Sequence, residues 1–469
     1  MHYVPKFPAT VILCLCFLYA DTVSPDYHQF TQPDGSTFWG RGYGDEFYSI
    51  SETRDGYTFI HAVNSEGRSA YYYVSLDADG VFIQSELQVG IDDPDLAGIS
   101  KGLRETPAVI QRKRDAVLSK FLPLNWDVTE NRAGSDKYKK PLIILANFQS
   151  GGYPAGVSAS FYASYTTADF GKLFFSDNLA TDTFSADPGN YQTNHYDRSM
   201  KQAFLENSYN QFSLTATVSD VTAWTQAPQT YAYYCYGSQG SGGAWPHNAQ
   251  GLAYDLVNLL DASVDFSQYD LDVDGIVDQI IIIVEGWTDP TGTNDDMFWS
   301  YRWSIPDAYA PVLDGVAVKG FFLTQEKMGS DGYADFNGDG FSNTQIYTQG
   351  SLRTVGTIVH EYGHSLGLPD LYDTNSGNGD SEGIGEWGLM GSGNWNSQIC
   401  PASMTAWSKS ELGWLTPTEI SVFQDNLTVV NIEDNATAYK IPFSETEYFL
   451  IANRQRTGLD SFLNSTAGG

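Results

Sequence analysis

The residues best placed for chemistry lie in one stretch, His360 to Asp370, which reads H-E-x-x-H-x-x-G-x-x-D. Residues four apart in a helix share a face, so His360 and His364 can both point toward one metal ion. Neutral imidazole suits zinc, and two such ligands leave room for a third ligand and a water. Glu361 lies beside the first histidine and can take a proton from that water, which bound zinc makes nucleophilic near neutral pH.

The flanking residues predict a helix that ends in a sharp turn. Apolar side chains recur at helical spacing and can pack on a core: Val355, Ile358, Val359, Tyr362 and Leu366. Gly367 is expected to end the helix, because glycine takes the left-handed conformation at little cost. Pro369 discourages any resumption of the helix. The turn can therefore bring the carboxylate of Asp370 back to the metal as third ligand.

Two alternative interpretations stay open at this stage. In a gluzincin-type arrangement a downstream glutamate is the third ligand, and Glu382 and Glu386 stand at suitable distances, Glu386 being the better placed. The other alternative is a calcium-binding surface module with a structural zinc. Structural zinc normally has four protein ligands, whereas this motif supplies three and a general base, so the module is disfavoured.

A glycine-rich loop with a single methionine, Met390, follows the helix after a short interval. This arrangement is typical of a Met-turn, in which the methionine packs beneath the metal. Together HEYGHSLGLPDLYD (360–373) and GLMGSGNW (388–395) resemble the M6 family of metallopeptidases, the immune inhibitor A-like secreted zinc proteases. The resemblance implies an α+β, metzincin-like catalytic domain and a zinc-dependent secreted endopeptidase made as a proenzyme. It also supports the third-ligand role of Asp370.

The N-terminal part of the chain is expected to be removed in two steps. Residues 1–20 have the pattern of a secretory signal, with an apolar run too short for a stable membrane anchor. The resemblance implies that residues 21–130 are a propeptide that inhibits the enzyme, and their sequence predicts a β-rich part and then a basic helix from Ala108 to Phe121. This segment contains no cysteine, so a cysteine thiolate cannot be the group that blocks the zinc.

Residues 131–420 are predicted to be the catalytic domain, a twisted mixed sheet with backing and active-site helices. Strands are expected at 141–148, 212–218 and 279–284, the last at the sheet centre because it is rich in β-branched residues. Helices are expected at 199–206, 249–260 and 404–412. After the strand at 279–284, strands and helices are expected to alternate up to the histidine helix. Residues 421–469 are predicted to begin a C-terminal β unit, with strands at 427–432 and 448–452, and the chain is expected to be truncated there.

Two acidic loops are candidate calcium sites. The first matches the opening nine positions of an EF-hand-type loop, in which alternating carboxylates converge on one hard cation; its residues are Asp270, Asp272, Asp274, Ile276 and Asp278. The second has the same pattern with less charge, at Asp335, Asn337, Asp339 and Phe341. The twelfth-position glutamate of an EF-hand is replaced by Ile281 in the first loop, so a static structural site is expected rather than a sensor.

The composition excludes some classes of protein. A net charge of −32 argues against a nucleic-acid binder, which needs a basic surface. No apolar run after the signal is long enough to span a membrane. The expected partners, which the resemblance to the M6 family implies, are protein or peptide substrates. Two cysteines remain after signal removal, Cys235 and Cys400, and in an oxidising compartment they can pair.

Overall fold

A computed structural model describes most of the chain, in fifteen segments separated by gaps. They are residues 27–45, 48–63, 69–121, 140–154, 161–182, 184, 198–289, 294–329, 332–334, 344–347, 349–373, 381–396, 399–424, 426–444 and 447–463. The predicted signal, residues 1–20, and the second acidic loop, Asp335 to Phe341, lie outside the described residues. Within them, no helix is long and apolar enough to cross a membrane.

The described part combines helices with several separate sheets, as expected for the α+β class. The α-helices are α1 (Pro107–Phe121), α2 (Thr167–Phe175), α3 (Met200–Asn207), α4 (Tyr231–Cys235), α5 (Ala249–Leu260), α6 (Val355–Ser365) and α7 (Ala406–Glu411). The strands before α5 are β1 (His28–Thr31), β2 (Thr37–Asp45), β3 (Tyr48–Thr53), β4 (Thr58–Val63), β5 (Ser69–Leu76), β6 (Phe82–Gln88), β7 (Leu142–Gln149) and β8 (Thr225–Thr230). The later strands are β9 (Ile280–Trp287), β10 (Tyr301–Ser304), β11 (Val312–Leu313), β12 (Val316–Ala317), β13 (Gly320–Lys327), β14 (Gly332–Ala334), β15 (Thr344–Tyr347), β16 (Thr418–Glu419), β17 (Tyr439–Pro442) and β18 (Tyr448–Ile451).

The N-terminal strands form one antiparallel meander in the order β1-β2-β3-β4-β5-β6. Asp-Gly turns close three of its hairpins, and their glycines, Gly35, Gly56 and Gly80, all have a positive φ that L residues rarely adopt. Helix α1 packs on this sheet through Ile110, and Arg114 forms a buried ion pair with Asp45 at 2.8 Å. The predicted β-rich part and its basic helix are therefore one packed unit.

The central sheet has the strand order β10-β13-β9-β7-β8. Strands β13, β9, β7 and β8 are parallel to one another, and β10 runs antiparallel along the edge. The β-branched run predicted for the sheet centre is β9, with parallel neighbours on both sides. Its first seven residues are buried, because helices cover both faces of the sheet.

The alternation of side chains along β9 divides the interior into two cores. Ile280, Ile282 and Val284 belong to the core that contains α4 and α5. Ile281 and Ile283 face the other core, which contains residues of α2, α3 and α6. Helix α6, which carries the histidine motif, is thus packed on one defined face of the sheet.

Three predictions of secondary structure are wrong. Residues 212–217 form no strand, although Phe212, Leu214 and Ala216 are buried, and a 3-10 helix, Val218–Asp220, follows them. The sheet edge at this point is occupied by β8 instead. Residues 427–432 form no strand, and only Asn431 makes a bridge, to Asn453. Helices and strands were also expected to alternate up to the histidine helix, but the described residues between β9 and α6 hold only strands and loops.

The predicted disulfide is also wrong, because Cys235 and Cys400 are both buried thiols that are not bonded to each other. Cys235 belongs to the core on one face of the central sheet, and Cys400 belongs to the core on the other face. Each thiol contacts backbone carbonyls of its own surroundings, Asp295 for Cys235 and Gly458 and Leu459 for Cys400, all at 3.6 Å. The sheet between them prevents a bond.

Two glutamates, near the carboxyl ends of β9 and β13, accept hydrogen bonds from the end of β7 and from the segment that follows it. Glu285 accepts hydrogen bonds from the backbone amides of Phe148 at 2.7 Å and Ala163 at 3.1 Å. Glu326 accepts from the amides of Ser164 at 2.9 Å and Tyr165 at 2.8 Å. Burial raises the pKa of Glu326 to about 7, although the neighbouring ammonium of Lys327 and the amide donors oppose the shift.

We predict that Glu326 makes folding stability depend on pH between about 4.5 and 7. In this window folded Glu326 holds a proton that the unfolded chain has released, so its stabilising contribution is full below pH 4.5 and disappears toward pH 7. The change amounts to about 3 kcal/mol. Glu326→Gln should remove this part of the pH dependence, as measured by urea unfolding across the window.

Glu419→Gln, a change on the exposed strand β16, is the matched control and should leave the pH dependence unaltered. If Glu326→Gln and the wild-type protein lose stability with the same slope between pH 4.5 and 7, Glu326 is not the group responsible.

Candidate metal centre

The two motif histidines lie side by side in α6, as their four-residue spacing predicts. All eleven residues of this helix are buried, and its apolar face, including Ile358 and Tyr362, packs in the core beneath the sheet. His360 and His364 project together, with their Nε2 atoms 3.0 Å apart. Both imidazoles are essentially inaccessible to solvent.

The turn after α6 brings a carboxylate to the two imidazoles. The helix ends at Ser365, and Gly367 adopts a φ of +93°, which reverses the chain. Its amide donates to the carbonyl of His364 at 2.9 Å, and the amide of Leu368 donates to Gly363 at 3.1 Å. Asp370 Oδ1 then lies 3.2 Å from the Nε2 atoms of both histidines.

Backbone carbonyls fix the orientation of both imidazoles. His360 Nδ1 lies 2.8 Å from the carbonyl oxygen of Leu389, and His364 Nδ1 lies 2.8 Å from that of Leu368. A carbonyl only accepts, so each Nδ1 carries the proton and each Nε2 presents its lone pair toward the centre of the cluster. This tautomer is the one that binds a metal through Nε2.

The electrostatics of the cluster favour the protonation states of metal ligands. Burial lowers the pKa of His364 below its ordinary value, even though the facing carboxylate of Asp370 acts in the opposite direction. Burial acts to raise the pKa of Asp370, but the two imidazoles together outweigh it and hold the pKa below the usual range. A neutral imidazole beside an ionised carboxylate is therefore the favoured state.

The donor set and its spacing fit zinc. Zinc bound to imidazole nitrogen and carboxylate oxygen at about 2.0–2.2 Å in a tetrahedron places neighbouring donors about 3.3 Å apart. The three separations observed here are 3.0, 3.2 and 3.2 Å. Three protein ligands also leave one tetrahedral position open, as in catalytic zinc sites.

Glu361 and Met390 both belong to the surroundings of this cluster. Glu361 follows His360 directly in α6 and is fully buried. Met390 lies against the helix at Gly363, between the two histidines, where a Cβ atom would come within 2.6 Å of the methionine sulfur. The amide of Leu371, the residue after Asp370, donates to the carbonyl of Met390 at 2.7 Å. The methionine loop (Trp387 to Met404) therefore contacts both helix α6 and the segment that carries the Asp370 carboxylate.

The alternative third ligands do not join the cluster. Glu382 and Glu386 are both described, and neither belongs to the group of converging ligand atoms formed by His360, His364 and Asp370. Glu386 lies in a 3-10 helix, Gly385–Trp387, and its pKa is raised by burial and by the neighbouring Glu382. The geometry thus favours Asp370.

The first acidic loop gathers part of its predicted ligand set. Carboxylate oxygens of Asp270, Asp272 and Asp278 lie within 4.8 Å of one another. Asp274 is not a member of this group, and its carboxylate accepts from the amide of Ile276 at 2.8 Å. The sharp turn between them uses Gly275 with a φ of +86°.

Sequence reasoning missed the carbonyls of Leu389 and Leu368, because every residue carries a carbonyl and its direction depends on the tertiary structure. It also missed the role of Gly363. A signal for it was present, since a glycine in the middle of a helix is unfavourable and usually has a packing reason.

The chain is similar in sequence to known bacterial proteins. The chain is 30% identical over 227 residues to Immune inhibitor A of Bacillus thuringiensis subsp. alesti, a match that covers 44% of this chain and 30% of that protein. It is 26% identical over 251 residues to Pre-pro-metalloprotease PrtV of Vibrio cholerae serotype O1, covering 48% of this chain and 25% of PrtV. The matched region spans less than a third of either relative's length.

Residues 127–418 match the model of the immune inhibitor A peptidase M6 catalytic domain. That match includes the central sheet, α6 and the methionine loop, and it covers more than half of the chain. Because the matched region also contains the imidazole and carboxylate cluster described above, we conclude that the chain belongs to the M6 peptidase family.

Proposed function

We propose that this protein is a zinc-dependent endopeptidase that hydrolyses peptide bonds in protein substrates. The observation that carries the proposal is the convergence of His360, His364 and Asp370 within 3.0–3.2 Å of one another, with Glu361 next to the first ligand. Membership of the M6 peptidase family supports the same reaction.

The roles of the residues follow from their chemistry. His360, His364 and Asp370 would hold zinc, which when bound supplies a Lewis acid that lowers the pKa of a water and polarises the scissile carbonyl. Glu361 takes the proton from the attacking water and passes it to the leaving amine. The Leu389 and Leu368 carbonyls keep the imidazoles oriented, and the buried position of the cluster excludes bulk water.

The architecture supports a metzincin-like arrangement of this catalytic domain. The histidine helix α6 follows β13 in the chain and packs under the parallel part of the sheet. Met390 packs against that helix at Gly363, as the Met-turn prediction requires. The antiparallel edge strand β10 also supports this arrangement.

We further propose secretion as a proenzyme, with the boundaries predicted above: residues 1–20 as signal and residues 21–130 as inhibitory propeptide. Support comes from the separate N-terminal sheet closed by α1. The similar protein PrtV is named a pre-pro-metalloprotease, a name that describes the same order of segments in that relative.

We also propose that calcium binds the first acidic loop as a structural ion. The support is the convergence of three carboxylates, from Asp270, Asp272 and Asp278, at the start of the central strand β9. Oxygen donors of this kind suit a hard cation. The loop precedes β9 directly, so a cation there would stabilise the entry to the sheet centre.

We predict that Glu361→Gln keeps zinc binding and loses turnover. Glutamine matches glutamate in size but cannot accept a proton, so kcat should fall by about 10²–10⁴-fold. Zinc stoichiometry by atomic absorption and turnover of a fluorescent peptide by processed protein are the two measurements. Glu419→Gln is the control of equal charge change. Retained turnover in Glu361→Gln would refute the general-base role.

We predict that Asp370→Ala and Glu386→Ala differ sharply in zinc affinity. Removing the Asp370 carboxylate should weaken zinc binding by more than about 100-fold. Loss of a residue that only hydrogen-bonds a metal ligand already lowers metal affinity by about 10–100-fold, and loss of a ligand itself should cost more. Glu386→Ala should bind zinc like the wild-type protein. Competition with a chromophoric chelator measures both constants. The reverse result would establish the gluzincin-type ligand set instead.

We predict that calcium raises the thermal midpoint of the wild-type protein and has less effect on Asp272→Asn. A ligand present at 100 times its dissociation constant stabilises by about 2.7 kcal/mol. The measurement is thermal unfolding in calcium and in a calcium-selective chelator. Asp261→Asn, an exposed change outside the loop, is the control. Equal midpoints in calcium and in chelator would remove the proposed site.

A further inference from the structure

The methionine loop is held in place by residues that follow the family-matched region. The loop runs from Trp387 to Met404, and the residues that brace it, Arg454 and Asp460, lie beyond residue 418 where the family match ends. Both are largely buried, with 12% and none of their side-chain surface exposed. A charged pair with this little exposure needs close partners.

Arg454 uses its guanidinium to join two distant points of the loop. It donates to the carbonyl of Trp387 through Nη1 and to that of Ser403 through Nη2, the latter at 3.3 Å. Asp460 accepts from Arg454 Nε at 2.7 Å and from the amide of Ser403 at 2.9 Å. The planar, multidentate guanidinium is well suited to bridging several acceptors at once.

Other contacts hold Ser403 from the opposite side. Its hydroxyl donates to Asn207 Oδ1 of α3 at 2.9 Å, and the amide of Met404 donates to the same oxygen at 2.7 Å. Ser403 is therefore fixed between the catalytic-domain helix α3 and the Arg454–Asp460 pair. The backbone of Ser403 can therefore support the neighbouring segment around Leu389.

A short hydrogen-bond path leads from this support to the metal centre. The amide of Leu389 donates to the carbonyl of Ser403 at 3.3 Å. The carbonyl of Leu389 in turn accepts from His360 Nδ1 at 2.8 Å. The next residue, Met390, accepts from the amide of Leu371 beside the carboxylate ligand. Arg454 contacts the loop on both sides of this segment, at Trp387 and Ser403.

We propose that Arg454, paired with Asp460, is a positioning residue for the metal centre. It acts through the carbonyls of Trp387 and Ser403 on the Leu389 carbonyl that orients His360. The proposal rests on the proposed zinc site and extends it to residues outside the catalytic-domain match. Loss of the guanidinium would leave the Leu389 carbonyl less well directed, so His360 would bind the metal less tightly and in altered geometry.

The test measures metal binding by the full chain rather than activity alone. Arg454→Ala should lower zinc affinity by about 10–100-fold in chelator competition. The visible absorption spectrum of the cobalt-loaded protein should shift, since it reports ligand geometry. Arg454→Lys keeps a positive charge beside Asp460, but lysine can donate to fewer carbonyls than arginine. The zinc affinity of this variant should therefore lie between those of the wild-type protein and Arg454→Ala. Arg456→Ala is the matched control. Arg456 is exposed, and its Nε donates to the carbonyl of Ser461.

Asp460→Asn provides a second variant in case Arg454→Ala does not fold. Asparagine still offers an oxygen to the Ser403 amide, so the fold should persist while the charge pairing with Arg454 is lost. Wild-type zinc affinity and an unchanged cobalt spectrum in Arg454→Ala would overturn the proposal. Loss of cooperative thermal unfolding in both variants would also overturn it, because the pair would then support the whole domain. Failure of the wild-type protein to bind zinc would instead refute the proposed metal site.

Discussion

The structure depends on keeping two imidazoles side by side, with their rings nearly perpendicular, inside a buried core. The Nε2 atoms of His360 and His364 lie 3.0 Å apart with almost no access to water. Such an arrangement requires that both rings be neutral and that each Nδ1 have a partner, because an unsatisfied buried donor costs about 1–3 kcal/mol. The Leu389 and Leu368 carbonyls meet this requirement and at the same time select the tautomer that faces a metal.

The central sheet makes this arrangement possible. Its three inner strands, β13, β9 and β7, are buried on both faces. The side of β9 that carries Ile281 and Ile283 belongs to the same core as the apolar face of α6. A helix packed in this way has little freedom to rotate, so the direction of its histidines is determined by the packing of Ile358, Val359 and Tyr362. Close packing of Met390 at Gly363 fixes the helix from the other side.

The metal centre also draws on chain segments far apart in sequence. The loop after α6 supplies Asp370, the methionine loop supplies the carbonyl for His360, and Arg454 contacts that loop from the C-terminal segment. Each additional segment reduces the number of arrangements open to the ligands before a metal binds. Preorganisation of this kind is what gives a ligand set both affinity and a defined geometry.

Much of this protein could be read from local patterns. The spacing of His360 and His364, the glycine after the helix and the β-branched run of β9 each have a direct structural meaning, and the corresponding helix, turn and central strand are present. The three Asp-Gly hairpins of the N-terminal sheet follow from an equally local pattern, since each turn depends on one residue with a positive φ.

Other features were decided only by tertiary structure. Residues 212–217 have the composition of a strand, but the sheet edge they would need is occupied by β8, so they form no strand. Cys235 and Cys400, the two cysteines that follow the predicted signal, were the candidates for a disulfide, yet they lie in cores on opposite faces of the sheet. The sequence by itself determined which side chains are able to bind a metal. Which carbonyls orient them, and which distant charged residues brace those carbonyls, depends on backbone groups whose direction exists only in the folded chain.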